Sequence, residues 1–378
     1  MRTAAAIAVV AGIVAGCASA GDGEDAGVKP ARVVAAERGG PRLGYLMLAS
    51  GEVAALSLRT GRVVVRRDLG PSPRVRLATT LLSWGPGHRE LYALSPRRAD
   101  EVQRVRALDP ATLSTRAGAD LPADATFTAV AVGPRTGTVY LLGTREGEPL
   151  LATADPALDR VREPRSLREA DGRDWLVIAA TIDEGERRLA VSYHGETTTG
   201  ADLVDLSAAP SSSVPVGCEA TGSAGLGCFH EVHGDAAFVA GSLIATTGDR
   251  ALVRYDPETG RLREHLDTEL PKNHVMALAS AGDAGVAVAG SCLQAGGLSV
   301  VSVGGEASRR GYPAAPHGDG YRGICGEGIA TRGATALVAA PDTVGRGERP
   351  AGAFIVDLGR PKAPPRFVRV GSPLAVAL

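Results

Sequence analysis

The sequence predicts an all-β chain of repeated four-stranded antiparallel units, and two observations carry that expectation. From about Leu43 to Leu378 it runs in strand-sized stretches of Val, Leu, Ala and Ile separated by Gly, Pro and Asp, with no sustained helical period. One turn also recurs. Its clearest copy is Asp256-Pro257-Glu258-Thr259-Gly260, and others begin at Arg59, Asp109, Asp155, Ser207, Gly304 and Gly359, at intervals of 46 to 55 residues. Seven turns so evenly spaced imply seven units. A chain of 378 residues, 44% of them apolar, can build a large core, which excludes disorder as the main reading. With 41 basic against 42 acidic side chains there is no cationic excess to neutralise phosphates, so no nucleic-acid partner is expected.

Each unit follows one plan: an apolar strand, a tight turn, a second strand, a variable loop, a third strand ending in the recurrent turn, and a fourth strand rich in Arg. A single such unit cannot hide both faces from water. The units are therefore expected to stack radially as a seven-bladed β-propeller, each burying its faces against its neighbours. The D-P-E-T-G turn and its interval resemble the broad WD40-like, YVTN and quinoprotein-like propeller repeats, over about nine-tenths of the chain. The WD dipeptide and the tryptophan-docking signature are missing, so the resemblance implies architecture rather than activity. A β-sandwich pair or a solenoid accounts less well for the interval.

The first unit, with GYLMLAS, EVAALSL and VVVRRDL, has three strands before the next unit starts near Leu77. The chain ends in PLAVAL (373–378), an apolar strand with no unit of its own. Placed in the first unit, it closes the ring and removes an exposed edge. Residues 32–37 (RVVAAE) compete for the same slot.

Arg2 and the uncharged run Thr3 to Gly16, too short to span a bilayer, read as a signal-peptide core. The run ends in V-A-G-C at 14–17, and this order of charge, apolar run, small residues and cysteine resembles the bacterial lipoprotein lipobox. The resemblance implies a cleaved signal over 1–16, a lipidated tether over 17–42 starting at diacylated Cys17, and a propeller domain over 43–378. It implies an extracytoplasmic protein anchored to the cell membrane through Cys17. The A-S-A at 18–20 would also suit an ordinary secretory cleavage.

Four cysteines remain, Cys218, Cys228, Cys292 and Cys325, an even set in a chain expected to be exported to where thiols oxidise. Three pairings are possible. The short Gly-rich loop between Cys218 and Cys228 can bring those two together, which leaves Cys292 for Cys325. No C-x-x-C occurs, so neither a zinc knuckle nor a thioredoxin-type site is indicated.

In a propeller the second-to-third loops and the links between units share one rim, and the other two turns lie opposite. The opposite turns are short, as in 133–137, 183–186, 280–285 and 330–334. The elaborated segments, 194–202, 217–230, 290–297, 312–328 and 341–352, all fall on the first rim. His194, Glu196, His230, His274, His317, Asp319 and Arg322 fall there or at the mouths of innermost strands and are the candidate ligand-binding set. Each histidine taken singly reads more readily as a loop residue capping a turn or lying in solvent than as a ligand.

The chemistry those residues allow is binding of a protein or small-molecule partner at the cell envelope. The rival reading is a lyase or hydrolase using His230 or His274 with Glu196 and Arg322. Gly318 to Gly323 spells G-x-G-x-x-G but follows Pro313 and Pro316 with no helix behind it, so no dinucleotide site is expected. No H-E-x-x-H, calcium loop, G-x-S-x-G or Walker motif is present, and no metal or cofactor is expected. Arginines on the fourth strands (VVVRRD, RLREH, RFVRV) are expected to solvate the rim and discourage edge pairing.

Overall fold

Seven four-stranded antiparallel sheets form, one for each repeat. The computed structural model describes residues 42–70, 80–95, 102–167, 175–194, 199–207, 213–215, 232–247, 251–268, 275–282, 285–290, 297–303, 309–312, 326, 328–340, 351–360 and 362–378. Blade one holds β1 (Leu43–Leu48), β2 (Glu52–Ser57) and β3 (Val63–Asp68). Blade two holds β4 (Leu82–Trp84), β5 (Leu91–Leu94), β6 (Arg104–Leu108) and β7 (Thr115–Asp120). Blade three comprises β8 (Thr126–Val132), β9 (Val139–Arg145), β10 (Glu148–Ala154) and β11 (Arg165–Ser166). Blade four comprises β12 (Leu176–Ile182), β13 (Arg188–His194), β14 (Thr199–Asp205) and β15 (Ser213–Pro215). Blades five and six run through β16 (Val232–Val239), β17 (Ser242–Thr247), β18 (Ala251–Tyr255) and β19 (Leu262–Asp267), then β20 (Val275–Ser280), β21 (Gly285–Gly290), β22 (Leu298–Ser302) and β23 (Arg309–Tyr312). Blade seven is β24 (Gly328–Arg332), β25 (Thr335–Ala340), β26 (Gly352–Asp357) and β27 (Arg366–Arg369), after which β28 (Pro373–Ala377) ends the chain.

The first strands of consecutive blades touch in sequence around the axis, and β28 meets both β24 and β4, so the ring is closed. β28 pairs with β1 (Tyr45 with Ala377, Leu46 with Val376), which makes the C-terminal strand the innermost strand of blade one. That pairing fills the slot for which residues 32–37 competed.

The strands read as they do because each blade is sandwiched between two others. Inner and middle strands are buried on both faces, as in β1 and β8, and are therefore near-continuous apolar runs rather than alternating ones. Buried alanines such as Ala129, Ala180, Ala277, Ala287 and Ala336 let neighbouring blades approach closely near the axis. Outer strands such as β7 (TRAGAD) meet solvent and carry the charges.

Six of the recurrent turns begin within the described residues, each between third and fourth strands, and the one beginning at Gly304 lies outside them; the repeat is marked more tightly by the residue that caps the turn. Asp109, Asp205, Asp256 and Asp357 each accept a backbone N–H two residues on, at 2.9 Å, while Asp155 accepts the Asp159 N–H and Ser57 the Thr60 N–H. In blades one, four and seven this residue lies two positions before the start read from the sequence.

Two further expectations are corrected. Residues 199–202 belong to β14, so the loop expected at 194–202 is confined to the residues between His194 and Thr199. The outer-strand arginines do more than solvate the rim. Arg366 bonds the Leu58 and Arg59 carbonyls of blade one, and Arg66 bonds Glu52 and the Val370 carbonyl, both at 3.3 Å. Such reach suits the long stem and fork of Arg.

Candidate functional site

The topology assigns the two rims. First and third strands start at the rim that carries the links between blades and the second-to-third loops, and run to the rim with the short turns. Of the sequence-derived candidates, His194 lies within the described residues. It ends β13 on the loop-rich rim, paired with Leu176 and Thr199. Glu196, His230, His274, His317, Asp319 and Arg322 lie outside the described residues, as do Cys17, Cys218, Cys228, Cys292 and Cys325.

What frames that rim is described. The Gly326 N–H donates to the Gly290 carbonyl at 3.0 Å, and the Gly290 N–H donates to the Gly297 carbonyl at 2.9 Å. This ties the base of the second-to-third loop of blade six to the segment leading into blade seven. Beneath the rim, the innermost strands slip out of register with their partners near their first residues. The shifts lie between Phe127 and Ala129, Val177 and Ala179, Val232 and Ala236, and Val275 and Ala277. Bulges of this kind re-aim side chains and are common beside functional sites. The Thr128 hydroxyl, at one shift, donates to the Val177 carbonyl of the next blade at 2.6 Å.

Buried polar side chains gather at the same level. Ser95, Gln103, Thr128, Ser192, Asp235, Thr246, Thr268 and Ser299 are all buried at or just beyond the loop-rich ends of their strands. Ser242 lies at the opposite end of its strand and Asp202 midway along its own. Gln103 is fully used: its amide donates to the Ser95 and Phe127 carbonyls at 2.8 and 2.6 Å and accepts from the Phe127 N–H at 2.8 Å. The Thr246 and Ser299 hydroxyls are buried with no hydrogen-bond partner among the described residues. A buried polar group costs free energy unless paired, so this gathering is not what packing alone would select. Asp235 and the bulges gave no sequence signal, because a single Asp in an apolar strand looks like a turn residue.

The short-turn rim is stitched blade to blade. The Tyr45 hydroxyl on β1 donates to the Pro110 carbonyl in the Asp-Pro turn of blade two at 2.7 Å. Tyr92 on β5 repeats this with Pro156 of blade three at 2.8 Å. Burial raises both phenols well above the ordinary range, and the carboxylates of Asp109 and Glu90 add to the rise. Glu186, in the first turn of blade four, accepts the backbone N–H groups of Arg135 and of Thr136 (2.7 Å) in the first turn of blade three. Burial opposes its ionisation, yet the Thr136 and Arg135 bonds hold its carboxyl below the usual value. Arg188 bridges Asp205 and Glu258 of blade five at 2.8 and 2.9 Å, and the Glu258 bond in particular raises its proton affinity.

Among the described residues, no group of three His, Cys, Asp or Glu side chains stands close enough to hold a metal ion. Likewise no helix among them is long and apolar enough to cross a membrane.

No family model and no curated protein matches the sequence. Solved structures do match. Dihydro-heme d1 dehydrogenase NirN in complex with DHE aligns at a TM-score of 0.55 and 13% identity, over 92% of this chain and 76% of that one. A 6-phosphogluconolactonase candidate of Bacteroides fragilis NCTC 9343 aligns at 0.58 and 11%, over 88% and 97%. The Cps50 (Swd1) β-propeller domain of Myceliophteria thermophila aligns at 0.55 and 12%, over 78% and 88%. The likeness is one of fold. At these identities propellers with such different names share a scaffold, and function has to be argued from the site.

Proposed function

We propose that this protein is a lipid-anchored, extracytoplasmic propeller that serves as a binding or scaffolding module at a bacterial cell envelope, with the loop-rich rim as its working face. The observation that supports the reading is the concentration of buried polar side chains and register shifts at the strand ends on that side. Rigid scaffolds that present ordered loops are where binding residues collect. The signal-like N-terminus ending in Cys17 supports the anchor, and the repeat is of the WD40-like, YVTN or quinoprotein-like kind. The partner is a protein or small molecule met outside the cytoplasm.

Two measurements test this. Growth with a labelled fatty acid should label the chain and carry it to the membrane fraction, and Cys17→Ala should abolish both. Replacing His194, His230 and His274 together by Ala should leave partner capture largely intact if loop shape does the binding. A folded triple variant that instead loses turnover of a substrate supports the lyase or hydrolase reading.

A further inference from the structure

Basic side chains are not spread evenly over the short-turn rim. β1 begins on that rim, so the chain enters the ring there at Arg42, and the Leu58 N–H donates to the Arg42 carbonyl at 2.9 Å. The third-to-fourth turn of blade seven, 357–366, is fastened to the same place. Its Arg366 guanidinium donates to the Leu58 carbonyl and, at 2.6 Å, to the Arg59 carbonyl. Gly61 completes the contact, since a Cβ there would stand 3.1 Å from Arg366 Nε. Arg42, the turn 57–62 and the turn 357–366 therefore form one hydrogen-bonded corner, at the seam where the ring closes.

That corner carries Arg42, Arg59, Arg62, Arg360, Lys362 and Arg366 against one acidic side chain, Asp357. The corresponding turns of blades three, four and five, 155–162, 205–207 and 256–263, carry five acids against four bases. The excess is thus local, in a chain whose formal charge is -1. Five of the six cations are exposed, and Arg366 is half-buried by its bonds to blade one. Asp357 does little to offset them: it caps the Gly359 N–H at 2.9 Å and meets Arg360 at 3.7 Å, with the Arg360 side chain 82% exposed. Arg42, Arg62 and Lys362 enter no ion pair or side-chain hydrogen bond among the described residues.

We propose that this corner is a docking surface for anionic phospholipid headgroups, which turns the short-turn rim toward a membrane and the loop-rich rim away from it. The cations stand on exposed turns whose backbones are bonded together, an arrangement that suits a charged plane. Each Lys or Arg held near such a plane strengthens binding about fivefold. Chain order favours a lipid over a soluble polyanion, because residues 18–41 join Cys17 to this corner and not to the loop-rich rim. An acyl anchor and a basic patch are complementary membrane signals. The orientation at the envelope rests on the anchor proposed above at Cys17; the affinity for anionic lipid does not.

Sedimentation of the full chain with vesicles tests this. Equal parts of phosphatidylglycerol and phosphatidylcholine should bind it at least about tenfold more tightly than phosphatidylcholine alone, and the gain should vanish as salt rises to about 0.5 M. The apolar run at 3–16 is present throughout, so the difference between the two lipids isolates the patch. Changing Arg42, Arg62 and Lys362 together to Gln should remove most of the gain. The same change at Arg135, Arg160 and Arg187, which are exposed on the short-turn rim of blades three and four, should leave it nearly intact. Both triple variants replace exposed side chains and should melt as the unaltered chain does. Equal binding to the two vesicles, a gain that survives the patch substitutions, or an equal loss in the control variant would each overturn the proposal. So would tighter binding of soluble polyglutamate than of the vesicles at equal charge. An absent fatty-acid label would strike the anchor alone, because the vesicle binding uses no lipid on Cys17.

Discussion

The two rims of this ring differ in how many of their polar side chains are spent at exposed or half-buried bonds between blades and how many are buried among the strand ends. On the short-turn side, Tyr45, Tyr92, Glu186, Arg188 and Arg366 each reach from one blade to the next, and each bond lies at or near the surface. Toward the loop-rich side Gln103 and Thr128 also bond the next blade, but Asp235, Thr246 and Ser299 are buried among the strand ends, and the last two hydroxyls have no partner among the described residues. Stitching of the first kind fixes the distance between blades with short segments that tolerate little change. Burial of the second kind costs stability and is retained where something other than stability is at stake.

The comparison can be broken most severely at the closure. Deleting Pro373 to Leu378 removes the innermost strand of blade one, including buried Ala375, Ala377 and Leu378, and should abolish a single cooperative unfolding transition in urea. A truncated chain that still unfolded cooperatively would disprove closure by this strand.

The next effect concerns the loop-rich rim. The Gly290–Gly326 bond brings the chain close together within two residues of Cys292 and one of Cys325. We expect a Cys292–Cys325 disulfide, visible as one linked peptide by mass spectrometry. Its loss in a Cys292→Ser variant should cost about 2–4 kcal/mol and expose the rim to protease before the blades.

A matched pair of substitutions then sharpens the contrast. Tyr92→Phe leaves the Pro156 carbonyl without its bond and should destabilise by about 1–2 kcal/mol. Ser299→Ala removes a buried hydroxyl that has no partner among the described residues and should be neutral or stabilise by up to about 1 kcal/mol. Equal losses at both sites in urea titrations would erase the difference between the rims.

The smallest effect is titration of the stitching. Glu186 sits below its ordinary 4.5 and Asp109 below 3.8, Asp109 because the Arg116 and Thr112 bonds outweigh its burial. Asp256 is held far below 3.8, chiefly by Arg263 and the Thr259 N–H. A carboxylate whose folded value is depressed stabilises fully above its unfolded value and loses that contribution as pH falls through the folded one. Stability should therefore hold at neutral pH and decline below about pH 4.5, and Glu186→Gln should remove part of that decline in urea titrations across pH.

How far the fold was legible depends on which signal each feature leaves. The Asp-Pro turns at 109, 155 and 256 leave a strong one, because only a few residue types cap such a turn. Ser57, Asp205 and Asp357 do the same work without the Pro-Glu-Thr-Gly context, so the sequence pattern places their turns two residues late. The tyrosine stitches could have been anticipated from Tyr45 and Tyr92, each near the start of a second strand. The site was less legible. Loop length points to histidines on the long loops, whereas the buried Gln103, Thr128 and Asp235 lie in or beside apolar strands and leave no such mark.

By itself the sequence determined the number of blades and placed the described turns that end their third strands to within two residues, because turn chemistry and interval are local properties that recur, while it left residues 32–37 and 373–378 competing for the strand that closes the ring. The tertiary structure alone decided which side chain meets which blade. Arg366 and Leu58 lie near opposite ends of the chain, yet they bond each other because the last blade is placed beside the first. Closure is a global constraint, and no local pattern records the contacts it creates.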